Sequence, residues 1–273
     1  MVHNVMRVRG LTIEGEVVEF GNAALDAPGY DLLALVNGSE GLLAMITEVT
    51  VRLTPKPELA QVVIASFADV GKAGDAVASI IATGIIPAGL EMMDRKAIHA
   101  VEPYVNAGYD MDAEGILLCE SDGTPEEVAE EIGRMVAVLE NSGASGIRVS
   151  QNESERLRFW AGRKAAFPAV GRMTPDYLCM DGTIPRKRLA EMLQAIAGLS
   201  AKYGLRCANV FHAGDGNLHP LIMYDANQPG ELDRAAAFGA EILELSVRFG
   251  GTITGEHGVG IEKINQMCSQ FAT

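Results

Sequence analysis

The alternation of apolar and polar residues predicts strands and helices that follow one another along most of the chain. Short runs rich in β-branched residues predict strands, and apolar positions three and four residues apart predict helices. Strands are predicted at residues 5–8, 11–13, 17–20, 42–53, 61–67, 90–93, 116–120, 147–150, 177–184, 208–211, 221–224 and 251–254. Helices are predicted at residues 31–36, 72–82, 124–140, 153–164, 186–203 and 232–249.

This order of elements contains β-α-β and β-α-β-β-α-β units, and several of its strands are joined as hairpins. Hairpin-linked strands favour an antiparallel sheet. We therefore predict an α+β fold of the ferredoxin-like kind, in which helices cover one face of antiparallel sheets. Pro55 and Pro57 resist both helix and central strand, so they mark a predicted domain boundary near residue 56.

Composition and charge narrow the class of protein. A chain of 273 residues can bury one large core or two smaller ones, and its net charge of −14 argues against nucleic acid as a partner. The cysteines stand far apart and form neither a zinc-ribbon nor an iron–sulfur pattern; they are Cys119, Cys179, Cys207 and Cys268. No apolar run reaches the roughly 20 residues that a membrane span needs. These features predict a soluble protein of the reducing cytoplasm.

Candidate chemistry is concentrated in two short motifs. His212 and His219 flank a glycine-rich turn between two apolar strands, and Asp215-Gly216 within that turn is a strong hairpin signal. Pairing of the two strands would bring both imidazoles to one ion. Glu256, in the motif Gly-Glu-His-Gly-Val-Gly, is the third ligand candidate. Two histidines and a carboxylate leave coordination positions open, as a catalytic metal site requires. Alternatively, these are polar turn residues with incidental histidines.

Three further stretches carry a resemblance to a known family. They are Arg-Lys-Ala-Ala-Phe-Pro-Ala-Val-Gly-Arg at 163–172, Asp-Gly-Thr-Ile-Pro-Arg at 181–186, and residues 209–220 around the hairpin. Together with residues 255–260, they resemble the flavin-linked 2-hydroxy acid oxidoreductases of the vanillyl-alcohol-oxidase class, which carry the FAD-linked oxidase C-terminal domain. That class includes D-lactate and D-2-hydroxyglutarate dehydrogenases and the glycolate oxidases, to which the likeness is greatest. It extends from about residue 38 to residue 271.

The resemblance implies a metal-assisted site. His212, His219 and Glu256 would hold a divalent ion (Zn, Mn or Fe) that polarises the 2-hydroxyl and carboxylate groups of the substrate. Asn217, in the same turn, would orient the substrate or the groups around the ion. Asn217 could instead be there because asparagine tolerates a left-handed turn.

Two further catalytic assignments follow from the resemblance. His257 would be the general base that takes the hydroxyl proton while the C2 hydride leaves for the flavin. Arg163 would bind the substrate carboxylate through its planar guanidinium. On the residues alone, Arg163 could be a surface charge on a helix and His257 could be structural.

The resemblance also predicts how the chain is divided around its FAD cofactor. Residues 1–56 would be the C-terminal remnant of an FAD-binding domain, residues 57–260 the substrate or cap domain with the metal site, and residues 261–273 the start of a truncated C-terminal flavin-domain segment. FAD would contact Gly38, Ser39, Glu40, Gly41 and Ile46. We expect the chain alone to bind no FAD tightly, and a homodimer formed through exposed strand edges is one expected assembly.

The substrate and the partners are expected from the same family. Where dehydrogenases for longer diacids place a lysine, this chain has Cys179 or its neighbours, which indicates a small monocarboxylate such as glycolate or D-lactate. An iron–sulfur subunit and a second flavin-type subunit would complete the complex and could hold it at the inner membrane. Two other hypotheses stay open: a metal-dependent hydrolase that uses the same three ligands without flavin, and a non-catalytic module that docks onto other subunits.

Overall fold

The computed structural model describes residues 2–24 and 29–271, without the side chain of residue 2. The chain divides into two compact units, Met1–Lys56 and Pro57–Thr273. The division falls between Pro55 and Pro57, where the sequence predicts a boundary. The segment 261–273, predicted to begin a separate part, belongs to the second unit.

The first unit is built on a small antiparallel sheet. A 3₁₀ turn at Val2–Asn4 leads into strands β1 (Val5–Leu11), β2 (Val17–Gly21) and β3 (Met45–Val51), with helix α1 at Leu32–Val36. β1 lies in the middle and pairs with both of the other strands. Asp31 caps α1, since its carboxylate accepts a hydrogen bond of 2.9 Å from the backbone N–H of Ala34. β3 is exposed along its whole length.

The second unit is organised around a seven-stranded sheet in which all adjacent strands are antiparallel. Its strands are β4 (Leu59–Phe67), β5 (Gly89–Asp94), β6 (Gly115–Gly123), β7 (Gly146–Val149), β8 (Asp176–Cys179), β10 (Cys207–Phe211) and β12 (Pro220–Tyr224), in the order β7-β4-β6-β5-β10-β12-β8. A separate ribbon pairs β9 (Gly182–Thr183) with β11 (Asn217–Leu218). The predicted strand 177–184 is therefore interrupted at Met180 and Asp181.

Helices cover both faces of this sheet. One face carries α2 (Val70–Ala82), α4 (Pro125–Asn141), α7 (Leu189–Tyr203) and α8 (Glu231–Arg248), and the other carries α3 (Arg95–Val105), α5 (Glu153–Lys164) and α6 (Ala166–Val170). A 3₁₀ turn, Arg186–Arg188, precedes α7, and α9 (Ile264–Gln270) contacts α8. The α+β class with an antiparallel sheet is confirmed, but the predicted placement of helices on one face differs from this arrangement.

The two-sided cover follows from the strand sequences. In β6, Leu117 and Cys119 face the core beneath α2 and α4, whereas Ile116 and Leu118 face the core beneath α3 and α5. All four side chains are fully buried. A strand that is apolar on both faces is stabilised by helices packed on both faces, because burial of apolar surface contributes about 25 cal/mol per Å² to folding.

Helix termini fix the positions of the side chains that approach the site. Asn152 caps α5 by accepting a hydrogen bond of 2.9 Å from the backbone N–H of Glu155. This start places Arg163 in the last turn of α5, within reach of Glu91 on the central strand β5. Among the described residues, no helix is both long enough and apolar enough to cross a membrane.

Candidate functional site

The two histidines meet because their strands form a tight antiparallel pair. β10 ends at Phe211 and β12 begins at Pro220, and the residue pair Asn209–Pro220 belongs to their shared register. The connecting turn closes on His212, whose carbonyl accepts hydrogen bonds from the N–H groups of Asp215 (3.1 Å) and Asn217 (3.2 Å). The ring centroids of His212 and His219 lie 5.0 Å apart, at an interplanar angle of 79°.

Glu256 completes a group of three potential ligands. Its Oε1 lies 3.3 Å from Nε2 of His212 and 3.1 Å from Nε2 of His219. One ligand atom from each side chain lies within 4.8 Å of the other two. His219 is buried, His212 is partly buried and Glu256 is exposed. The group therefore opens to solvent on its carboxylate side, where an ion and a further ligand could enter.

The hydrogen bonding of His219 is the feature that fits a metal ligand. Its imidazole is 3% exposed, and although Nε2 lies 3.1 Å from the Glu256 carboxylate, neither ring nitrogen makes a well-aligned hydrogen bond within the described structure. Leaving a buried polar group unpaired costs about 1–3 kcal/mol, so such groups normally have a partner. A divalent ion held by two imidazoles and a carboxylate would satisfy His219 and give a donor set that suits Zn, Mn or Fe.

A buried carboxylate anchors the loop that carries Glu256. Asp181, between β8 and β9, is fully buried. Its carboxylate accepts hydrogen bonds from four groups of one loop: the Thr254 hydroxyl (2.9 Å) and the backbone N–H groups of Gly255 (2.9 Å), Glu256 (3.1 Å) and His257 (3.0 Å). Burial alone would raise the pKa of Asp181, but His219 nearby and these donors hold it well below its usual range. Asp181 thereby fixes the loop backbone beside the histidine pair.

Lys263 supports the same anchor. Its ammonium group, buried beside α9, donates to the backbone carbonyl of Asp181 at 2.6 Å and lies 3.2 Å from the Asp181 carboxylate. Burying a single charge is costly unless an opposite charge lies close by in good geometry. The Lys263 ammonium and the Asp181 carboxylate meet this need for each other. Neither Asp181 nor Lys263 is among the residues predicted from the sequence, although Asp181 opens the motif at 181–186.

A second carboxylate orients His212. Glu91, on β5, accepts a hydrogen bond from Nε of Arg163 at 2.8 Å, and its other oxygen lies 2.9 Å from Nδ1 of His212. Glu91 and Arg163 are both buried. The hydrogen bond with Glu91 raises the pKa of His212. With Nδ1 held by Glu91, Nε2 of His212 faces Glu256. Glu91 is a further residue that the sequence analysis missed.

His257, Asn217 and Arg163 lie around the three potential ligands. The exposed His257 ring stacks on His219, with centroids 4.9 Å apart and an interplanar angle of 22°. Asn217 is buried, and its Oδ1 has no hydrogen-bond partner within the described structure. Nη2 of Arg163 lies 3.4 Å from the ring nitrogens of His212. The structure thus brings these three predicted residues to the same place as His212, His219 and Glu256.

A comparison with known protein families identifies the family of this chain. Residues 56–273 match the family described as FAD linked oxidases, C-terminal domain. This chain belongs to that family. The resemblance inferred from the motifs is confirmed.

Named relatives of the family agree with this assignment. The chain is 60% identical over 270 residues to the glycolate oxidase subunit GlcD of Escherichia coli K12, covering 99% of this chain and 54% of that protein. It is 38% identical over 247 residues to GlcD of Bacillus subtilis, covering 90% and 53%, respectively. It is 29% identical over 270 residues to a mitochondrial D-lactate dehydrogenase [cytochrome] of Arabidopsis thaliana, covering 98% and 47%. The chain spans about half the length of the curated relatives it matches.

Solved structures share the fold. A p-cresol methylhydroxylase with substrate bound aligns with a TM-score of 0.72 at 15% identity, over 92% of this chain and 57% of that chain. A 4-ethylphenol oxidase from Gulosibacter chungangensis aligns with a TM-score of 0.67 at 14% identity, over 97% of this chain and 62% of that chain. The family description names FAD, in agreement with the predicted cofactor. The divalent ion stays a prediction.

The predicted flavin contacts belong to the first unit. Gly38, Glu40 and Gly41 adopt positive φ angles of 88°, 54° and 78° in the loop that follows α1. A β-carbon added at Gly38 or Gly41 would meet no other heavy atom within 4 Å, so one side of this loop is open. Ser39 lies within the same loop, and Ile46 lies on β3 with 40% of its surface exposed. Their contact with FAD stays a prediction.

Proposed function

We propose that this chain supplies the substrate-binding part of a flavin- and metal-dependent enzyme that oxidises a small 2-hydroxy acid, glycolate or D-lactate, to the 2-oxo acid. The observation that carries the proposal is the convergence of His212, His219 and Glu256, in which the buried His219 ring makes no well-aligned hydrogen bond within the described structure. Membership of an FAD-linked oxidase family, and relatives named glycolate oxidase subunit and D-lactate dehydrogenase, support it.

Three protein ligands would leave room for the substrate. His212 and His219 offer nitrogen donors, and the exposed Glu256 offers an oxygen donor on the side open to solvent. A divalent ion held there would act as a Lewis acid towards the hydroxyl and carboxylate oxygens of a 2-hydroxy acid. Asn217 is buried next to the loop, and its amide oxygen, which has no hydrogen-bond partner among the described residues, would orient a substrate hydroxyl.

His257 is the proposed general base. Imidazole accepts a proton near neutral pH, and this ring is exposed while its neighbour His219 is buried. Its stacking on His219 supports this role, because a hydroxyl bound to an ion on His219 would lie within its reach. FAD, when bound, supplies the acceptor for the C2 hydride.

Arg163 is the proposed partner of the substrate carboxylate. Glu91 engages its Nε, while Nη2 extends towards His212 at the edge of the site. A guanidinium presents five N–H donors, so the pairing with Glu91 leaves donors for a carboxylate. The negative charge of Glu91 also compensates the buried cation while no substrate is bound.

The remaining assignments extend to the whole enzyme. We assign residues 1–56 to the flavin-binding part, residues 57–260 to the substrate-binding part and residues 261–273 to the start of a second flavin-domain segment. Gly38, Ser39, Glu40, Gly41 and Ile46 would line the FAD. An iron–sulfur subunit and a second flavin-type subunit would receive the electrons in a cytoplasmic complex, peripheral to the inner membrane. The chains of such a complex could also pair as homodimers.

A chimera tests this function. This chain would replace the aligned part of Escherichia coli GlcD, produced together with the other subunits of its host complex. We expect glycolate- or D-lactate-dependent reduction of an artificial electron acceptor, lost after chelation and restored by Mn²⁺. Activity that persists unchanged in a His212→Ala, Glu256→Ala double variant would contradict the metal role. Ester hydrolysis by the purified chain without an electron acceptor would favour the hydrolase instead.

A further inference from the structure

A second group of potential metal ligands lies against the first and contains a thiol. Cys179, His219 and His257 each offer one ligand atom, and these atoms lie within 4.8 Å of one another. The two groups share only His219. Cys179 ends β8 and is partly buried, whereas His257 is exposed. His257 is therefore the member of this group that faces solvent.

The buried imidazole again points to a ligand. His219 is only 3% exposed, and neither of its ring nitrogens makes a well-aligned hydrogen bond within the described structure, although Nε2 lies 3.1 Å from Glu256. A neutral imidazole has one nitrogen lone pair that can bind an ion. His219 can therefore complete either the group with Glu256 or the group with Cys179, but not both at once.

We propose that Cys179, His219 and His257 form a second site for a thiophilic divalent cation such as Zn²⁺ or Cd²⁺. Occupation of this site excludes an ion from the site of His212, His219 and Glu256. Donor chemistry distinguishes the two sites. Thiolate ligands select soft ions, whereas a carboxylate with two imidazoles also suits Mn²⁺. As the sulfur–metal bond forms, the thiol releases its proton to solvent.

The three ligand atoms would have to move only slightly closer together to bind one ion. Ligand atoms on a tetrahedral zinc lie about 3.5 Å apart, given bonds of roughly 2.0–2.3 Å. The present separations of up to 4.8 Å would shrink by about 1 Å. The exposed His257 ring is the member with room to move. The site would have three protein ligands and one open position.

The consequence for catalysis rests on the proposed function, although binding itself does not. An ion at the second site would take His257, the proposed base, and His219 away from the reaction at the same time. Excess Zn²⁺ or Cd²⁺ would then inhibit an enzyme that a harder ion activates. Because Cys179 lies beside the histidines, the kind of ion that is bound would determine whether the enzyme is active.

Cadmium binding tests the second site without any measurement of turnover. The chelator-treated chain is titrated with Cd²⁺, and the ultraviolet absorbance of the cadmium–thiolate bond is followed. We expect the band to saturate at one equivalent. Cys179→Ser should abolish it, while Cys268→Ser, at an exposed cysteine of α9, should retain it. His257→Ala should weaken Cd²⁺ binding at least tenfold. A band that survives in Cys179→Ser overturns the proposal, as does unchanged affinity in His257→Ala.

Further variants separate this proposal from the first one. His212→Ala should lose Mn²⁺ binding in equilibrium dialysis and keep the cadmium–thiolate band, because His212 belongs to the first group alone. Cd²⁺ should displace Mn²⁺ from the native chain one for one. Simultaneous binding of both ions would overturn the claim of exclusion. Thermal unfolding of Cys179→Ser and Cys179→Ala identifies any variant that fails to fold.

Discussion

At the scale of single residues, the site depends on two carboxylates that do not contact the proposed ion. Asp181 accepts hydrogen bonds from the backbone of the loop that carries Glu256 and His257, and Glu91 forms a hydrogen bond with the ring of His212. Both are positioning residues, which act through the backbone or the ring that they hold. Their effects on stability and on metal binding can be measured separately.

Replacement of Asp181 by Asn should lower the free energy of unfolding by about 3–5 kcal/mol, because it leaves the buried Lys263 ammonium without its opposite charge. The folded-state pKa of Asp181 lies below the ordinary value of about 3.9. The ionised carboxylate therefore stabilises the fold fully above that value, and the contribution is lost as the pH falls from there through the folded-state pKa. Chemical denaturation should show a constant difference near neutral pH that shrinks below about pH 4. The exposed Asp122→Asn is the control, and an equal loss in both variants would contradict the anchor.

Replacement of Glu91 by Gln should change metal binding in two ways. The pKa of His212 should fall, because the carboxylate that favours its protonated form is gone, so metal binding should begin at a lower pH. At higher pH, the affinity should decrease by about 10–100-fold, because the ring loses the partner that orients it. Calorimetric titration with Mn²⁺ across the pH range measures both effects. An unchanged onset with unchanged affinity would show that Glu91 plays no part.

Replacement of His257 by Ala should lower kcat by roughly 10²–10⁴-fold in the chimera, which is the usual contribution of a general base. The content of Mn²⁺ should stay nearly the same, because His257 is outside the group with Glu256. Steady-state kinetics and metal analysis of the same preparation check the two statements together. Loss of Mn²⁺ with unchanged turnover per bound ion would make His257 a ligand instead of a base.

At the scale of elements, the histidine turn requires glycine at its tightest point. Gly216 has a φ of 74°, and a β-carbon there would collide with the backbone carbonyl of Ile184. Gly204, which ends α7 with a φ of 65°, has open space around it. The two positions share the left-handed conformation and differ in the space available, so they form a matched pair.

Gly204→Ala should therefore cost about 1–2 kcal/mol, the strain of a left-handed residue with a β-carbon. Gly216→Ala should cost clearly more and should also reduce Mn²⁺ affinity, because the collision displaces the turn between His212 and His219. Chemical denaturation and Mn²⁺ titration of both variants provide the measurements. Equal destabilisation with intact metal binding in both would contradict this account.

The sequence predicted those helices and strands whose formation is determined by residues close together in the chain. Thr124 and Glu127 form the predicted start of α4, where each side chain accepts a hydrogen bond from the other's backbone N–H. Helix α3 was missed because it begins directly after β5, and Pro103 interrupts its pattern. The histidine pair could be predicted from the hairpin. Asp181 could not, because its partners lie 73 to 82 positions further along the chain and share no local pattern with it.

At the scale of the whole molecule, the chain alone should bind no FAD tightly. The pyrophosphate of FAD needs backbone N–H groups from a glycine-rich loop. The loop at 255–260 is committed to the proposed metal site, and the loop at 38–41 would offer only one edge of a flavin cleft. After incubation with FAD and gel filtration, the chain should show no stoichiometric flavin absorbance, while the chimera should retain it. The elution volume also reports whether the chain is a dimer. A bound flavin that survives filtration of the chain alone would show this expectation to be wrong.

The hydrogen-bond partners of Asp181 lie far along the sequence, which determines when this site can form during translation. The hydrogen bonds of its carboxylate and carbonyl extend to Thr254 and Lys263, so the anchor cannot close until residue 263 has left the exit tunnel. By then the seven-stranded sheet has been synthesised in full. The complete site, with Glu256 held in place by Asp181, can therefore form only after the whole sheet has been synthesised.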